Sequence, residues 1–109
     1  MNTIDVDKIE KACICGFENY LLANPIKNVI VVGFKKTLFK AYPNTDAISR
    51  LYNKERVKIN FEAQYELFEK VEPNDLANIF VTTSFASGYV RMGDDNSLHF
   101  EIDSVSFNG

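Results

Sequence analysis

Between residues 57 and 67 the chain alternates without a break. Val57, Ile59, Phe61, Ala63, Tyr65 and Leu67 are apolar, and Lys58, Asn60, Glu62, Gln64 and Glu66 between them are polar. Successive strand side chains point to opposite faces, so this pattern describes a strand with one face on a core and the other in water. A helix competes locally, because Phe61, Tyr65 and Phe68 are also spaced i, i+4, i+7 and Asn60 is an acceptable N-cap. The uninterrupted period of two favours the strand. A strand this long can be the central ribbon of an antiparallel sheet, and the rest of the chain must then cover its apolar face.

The covering element is expected first in the chain. Over residues 5–24, Val6, Ile9, Cys13, Phe17, Tyr20 and Leu21 form one apolar stripe, Thr3 or Asp5 can cap the start, and Pro25 stops the helix. Residues 29–34 are β-branched and almost wholly apolar, which predicts a buried strand. Residues 37–42 read as its antiparallel partner with Lys35 and Lys36 in the turn, or as the second half of one bent strand, since no Asn-Gly or glycine-rich turn separates them. A short helix is expected over 45–54, where Ala47, Ile48, Leu51 and Tyr52 make a stripe behind Pro43 and Asn44. Beyond the central strand, 72–75 reads as a turn and 76–78 as a helical turn or loop. Residues 79–85 and 89–92 are β-prone runs, with Gly88 marking a bulge or bend between them. Gly93, Asp94, Asp95, Asn96 and Ser97 form a strong turn, followed by alternation of Leu98, Phe100 and Ile102 with His99, Glu101 and Asp103, which gives a hairpin over 89–105. Residues 104–109 have too little periodicity to place. The order of elements predicts an α+β fold: an N-terminal amphipathic helix on a mostly antiparallel sheet of about four to six strands, with one further short helix.

With 109 residues, 46% hydrophobic and 25% charged, the chain is expected to form a single globular domain over 1–109 rather than a disordered segment. No apolar run approaches the ~20 residues of a membrane helix. Asp5, Asp7 and Glu10 replace the basic start and apolar stretch of an export signal. A cytoplasmic location away from membranes is the expectation, with Cys13 and Cys15 as free thiols, because helical residues two apart point away from each other.

Little in the sequence points to chemistry. Gly33, Gly88 and Gly93 are too far apart for a phosphate-binding loop, and Asp94, Asp95 and Asn96 lack the spacing of a calcium loop. His99 is the sole imidazole and falls on the polar side of its strand beside Glu101 and Asp103. Glu62 and Glu66 have the spacing of an acid/base pair, which is also that of a solvated strand face. No catalytic residue, metal site or cofactor is therefore expected.

Charge is the more informative signal. Formal charge is −2 over residues 1–26, +6 over 27–58 and −7 over 59–109. The acidic segment suggests a face of Glu62, Glu66, Glu69, Glu72, Asp94 and Asp95 for a basic protein partner, such as a nucleic-acid-handling enzyme. That is the device of a small inhibitor, of the immunity or anti-defence type carried by phages and mobile elements. The basic segment, with Lys35, Lys36, Lys40, Arg50, Lys54, Arg56 and Tyr52, suggests two alternatives. Those residues can meet acidic residues of a neighbouring copy in a self-assembling virion or tail-type subunit, or they can hold nucleic acid, which the acidic second half disfavours.

Overall fold

A computed structural model describes residues 4–26, 28–71 and 75–108. Helix α1 (Val6–Ala23) begins where the Asp5 carboxylate accepts the Lys8 backbone N–H at 2.9 Å. It ends where the Asn24 N–H and side-chain amide both donate to the Tyr20 carbonyl, ahead of Pro25. Its buried stripe is Ile9, Cys13, Phe17 and Leu21. Strand β1 (Val31–Tyr42), helix α2 (Ala47–Tyr52) and strands β2 (Val57–Val71), β3 (Asp75–Met92) and β4 (Leu98–Asn108) follow. The four strands form one antiparallel sheet in the order β1-β2-β3-β4, and α1 packs on one of its faces. The fold is α+β.

The alternation over 57–67 is a strand. All six apolar residues lie on the face beneath α1 with at most 2% of their surface exposed. Three local expectations need correction. Residues 31–42 form a single strand, the bent-strand alternative of the two readings, so Lys35 and Lys36 are not a hairpin turn. Both halves pair with β2, which is long enough to serve the whole length, and register shifts between Val31 and Gly33 and between Lys36 and Leu38 absorb the mismatch. At the second shift the Thr37 hydroxyl donates to the Gln64 carbonyl at 2.8 Å. Residues 76–78 are neither helical turn nor loop. They belong to β3, because pairing with the far end of β2 overrides a weak local preference. The runs 79–85 and 89–92 are one continuous strand, and the expected bulge is present as a register shift between Ser87 and Gly88 that leaves Asp103 of β4 without an opposite residue. Glu72 and most of the turn expected at 72–75 lie outside the described residues, as does Thr3. The hairpin over 89–105 is present, and β4 continues past it to Asn108.

Aromatic rings fill the space between helix and sheet. Phe17 of α1 meets Phe61 edge-on at 5.4 Å, Tyr65 at 5.5 Å and Phe39 at 6.3 Å, and Phe39 stacks on Phe61 at 5.0 Å. The phenol of Tyr65 donates to Glu18 at 2.8 Å, so the polar atom carried into this layer has a partner. Burial, followed by that carboxylate, pushes its ionisation above the ordinary tyrosine range.

Phe100 of β4 sets how closely α1 approaches. A Cβ on Gly16 would overlap the Phe100 ring from the helix side, and one on Gly88 would overlap it from β3 while standing 2.6 Å from the Glu101 carbonyl oxygen. A ring held between two glycines tolerates no added methyl without movement of the helix or the strand. Gly88→Ala should therefore cost about 2–3 kcal/mol, because a backbone oxygen cannot step aside. Gly16→Ala should cost less, since alanine's better helix propensity returns up to about 1 kcal/mol. Chemical denaturation of both variants measures this, and equal stability to the wild type would show that the slot is loose.

Candidate functional site

The opposite face of the sheet carries no helix among the described residues, and the register assigns its side chains in rows. Tyr42, Asn60, Ser87 and Ser104 make one row across all four strands; Lys40, Glu62, Phe85 and Ser106 make the next. Leu38, Gln64 and Thr83 follow, then Lys35 and Glu66. Toward the α2 end, Lys58, Tyr89 and Glu101 form a row, and Arg91 pairs with His99. Phe85 is 54% exposed and Tyr42 is 49% exposed, more than the neighbouring Leu38. Between them lies an open depression of about 410 Å³ whose polar lining includes Lys58, Asn60, Ser87 and Ser104.

Polar contacts tie this face together where the strands shift register. The Ser87 hydroxyl lies 3.2 Å from the Asp103 carboxylate and 3.0 Å from the Ser104 hydroxyl. Lys58 reaches the same carboxylate at 3.7 Å. Arg56 lies over the Tyr89 ring, 3.8 Å from its centroid, and 3.7 Å from the Glu101 carboxylate. The contact joins guanidinium stacking to an ion pair.

The acidic residues singled out from the sequence do not share one patch. Glu62 and Glu66 stand on the uncovered face, each directly opposite a lysine of β1, Lys40 and Lys35 respectively. Glu69 pairs with Val31 at the far end of β2. Asp94 and Asp95 are exposed in the β3–β4 turn, beyond the opposite end, about 40 Å of strand away. The basic residues are dispersed too. Lys35, Lys36 and Lys40 occupy edge strand β1. Arg50 bridges to Glu55 at 3.2 Å, Lys54 donates to the Gly93 carbonyl at 3.2 Å, and the Tyr52 hydroxyl accepts the Ile4 N–H at 2.9 Å. Phe85 and Tyr89 are the features that sequence reasoning passed over. Counting in twos from buried Val90 and Met92 would have placed Phe85 and Tyr89 outside.

His99 is exposed, with Glu101 and Asp103. Its Nε2 lies 3.2 Å from the Ser97 hydroxyl, which in turn lies 2.6 Å from Asp95 Oδ1. These are the residue types of a hydrolytic triad in the wrong order. The hydroxyl has one proton and directs it to the carboxylate, so it has none to give to the imidazole as its base. Cys13 lies beneath α1 with the sheet between it and His99, so the two cannot form a thiol–imidazole pair. Among the described residues no three His, Cys, Asp or Glu side chains gather to hold a metal ion, and no helix is long and apolar enough to cross a membrane. No family model, curated protein or solved structure matches the chain.

Two consequences can be measured. The hydroxyl and then the backbone N–H of Ser97 hold the Asp95 carboxyl below its ordinary range. A depressed folded value means that this clamp contributes above the unfolded carboxyl pKa and is lost as pH falls through the folded one. Ser97→Ala should raise the Asp95 pKa toward the ordinary value in an NMR titration; an unchanged value would show that the clamp is absent in solution. Burial, reinforced by the charge of Glu10, pushes the Cys13 thiol up to about 12. Alkylation of the native protein near neutral pH should therefore modify exposed Cys15 and spare Cys13 until unfolding, as mass spectrometry would show.

Proposed function

We propose that the chain is a non-catalytic protein-binding module that docks a basic protein partner on the uncovered face of its sheet. The observation that carries this reading is Phe85, a large ring that this face leaves half in water on an interior strand, with Glu62 directly opposite it on β2. An exposed aromatic anchor amid polar and charged groups has the composition of a transient interface.

The lysines opposite Glu62 and Glu66 do not preclude a basic partner. Exposed cross-strand pairs are worth only about 0.2–1 kcal/mol each, so an incoming arginine or lysine can displace Lys40 and Lys35 at small cost. The partner surface that fits is an apolar socket for Phe85 with basic groups at its rim. Such a protein acts as an inhibitor by occupying the surface that its target uses for an acidic ligand, as the immunity and anti-defence classes do. Nucleic-acid binding has weaker support, because Arg50, Lys54 and Arg56 are engaged within the chain and Lys35 and Lys40 face carboxylates.

Phe85→Ala and the double variant Glu62→Lys, Glu66→Lys test this reading in capture experiments from a host lysate, with Val6→Ser on the exposed side of α1 as control. Capture of the partner should weaken at least ten-fold for the first two, with the second loss shrinking at high salt, and should be unchanged for the control. Phe85→Ala should cost about 1–2 kcal/mol of stability while circular dichroism stays native, since about half of the ring is already in water. Equal capture by wild type and Phe85→Ala would remove the outer face from consideration.

A further inference from the structure

Strand β4 stops short of the end of β3. Asn108 pairs with Thr83, whereas β3 begins at Asp75. Among the described residues, the β3 backbone over 75–81 has β2 on one side, with pairs such as Val71 with Asp75, Phe68 with Ile79 and Leu67 with Phe80, and no strand on the other. A row of N–H and C=O groups along such an edge is a template for another strand.

The remaining edges carry the usual deterrents. Edge strand β1 has Lys35, Lys36, Lys40 and two register shifts, and edge strand β4 has Glu101, Asp103 and the shift beside Gly88. The stretch 75–81 reads Asp-Leu-Ala-Asn-Ile-Phe-Val, and after Asp75 the chain has no charged residue until Arg91. An open edge with β-prone, neutral sequence is one that a protein ordinarily covers.

We infer that this edge pairs with the same edge of a second copy, the two β3 strands running antiparallel about a two-fold axis at Asn78. Self-pairing brings identical sequences together, so it is open only to a segment that does not set like charges opposite each other. With the axis at Asn78, Asp75 of each copy falls opposite Val81 of the other, and the two aspartates sit at opposite ends of the ladder, about 20 Å apart. The end of β4 fixes the register. Sliding the partner toward Thr83 drives its hairpin end into Asn108, and sliding it the other way shortens the ladder. The result is a closed pair in which the strands run β1-β2-β3-β3-β2-β1 through the junction. This inference rests on backbone pairing and is independent of the outer-face reading.

Sedimentation of the wild-type protein from micromolar to millimolar concentration should show a reversible monomer–dimer equilibrium. Asn78→Lys and Asn78→Glu place like charges on the axis and should each weaken the dimer at least ten-fold while circular dichroism stays native. An equimolar mixture of the two should restore it, which a strand from an unrelated partner has no reason to do. A second route avoids any charge in the edge. In a Cys15→Ser background, Asn78→Cys places two thiols across the axis at a Cα separation of about 4.5–5.5 Å, within disulfide range, and oxidised glutathione should lock the pair covalently. A wild-type monomer throughout the range, a dimer indifferent to both charges, a native mixture that stays monomeric, or failure of Asn78→Cys to cross-link would each overturn the inference.

Discussion

The packing of Phe17 against Phe39, Phe61 and Tyr65 is the contact on which the rest of the molecule depends. It joins the one long helix to the two strands that begin the sheet, and it determines which face of the sheet becomes the interior. Small residues on β3 make room for those rings: Thr82, Ser84, Ala86 and Gly88 all stand on the inner face. Large groups on β3 are consequently displaced to the outer side, Phe85 and Tyr89 among them. The exposed ring that carries the functional proposal is thus a by-product of how the core is filled.

Charge provides the clearest difference between order along the chain and order in space. The sequence is +6 over 27–58 and −7 over 59–109, which reads as two patches of opposite sign. Antiparallel pairing of β1 with β2, of β2 with β3 and of β3 with β4 then brings these segments together. Lys35 faces Glu66, Lys40 faces Glu62, Lys58 reaches Asp103 and Arg56 reaches Glu101. Segregation in sequence becomes alternation on the surface, because a meander folds successive segments side by side. A surface of this kind discriminates by the positions of its charges more than by its net sign.

The fold was readable where a period extended over many residues. The alternation of 57–67 and the stripe of α1 define their elements through repetition, the turn at 93–97 through its turn-forming residues, and together they give the α+β architecture. The halves of β1 were readable either as a hairpin or as one bent strand, because a bulge changes the phase of the alternation and so resembles a turn. Residues 76–78 were decided by the partner strand and not by their own composition. The candidate site was less legible, because it depends on register. Only the pairing of Glu62 with Phe85 and Lys40 identifies which charge stands next to which ring, and a shift of one residue would have turned every one of them to the other face.

The same dependence on arrangement separates binding from chemistry here. Asp95, Ser97 and His99 are the residue types of nucleophilic catalysis, set two apart from the β3–β4 turn into β4, where each can touch the next. A serine becomes a nucleophile when the imidazole takes its proton and the carboxylate holds the imidazole. With the serine in the middle, its proton is committed to the carboxylate, the imidazole has no proton to take, and the contacts close the β3–β4 turn instead. The outer face presents a different case, with an exposed ring, a depression beside it and charges in fixed rows. Groups whose strongest contacts already satisfy one another stabilise the chain, whereas Phe85, half in water, has surface left to bury.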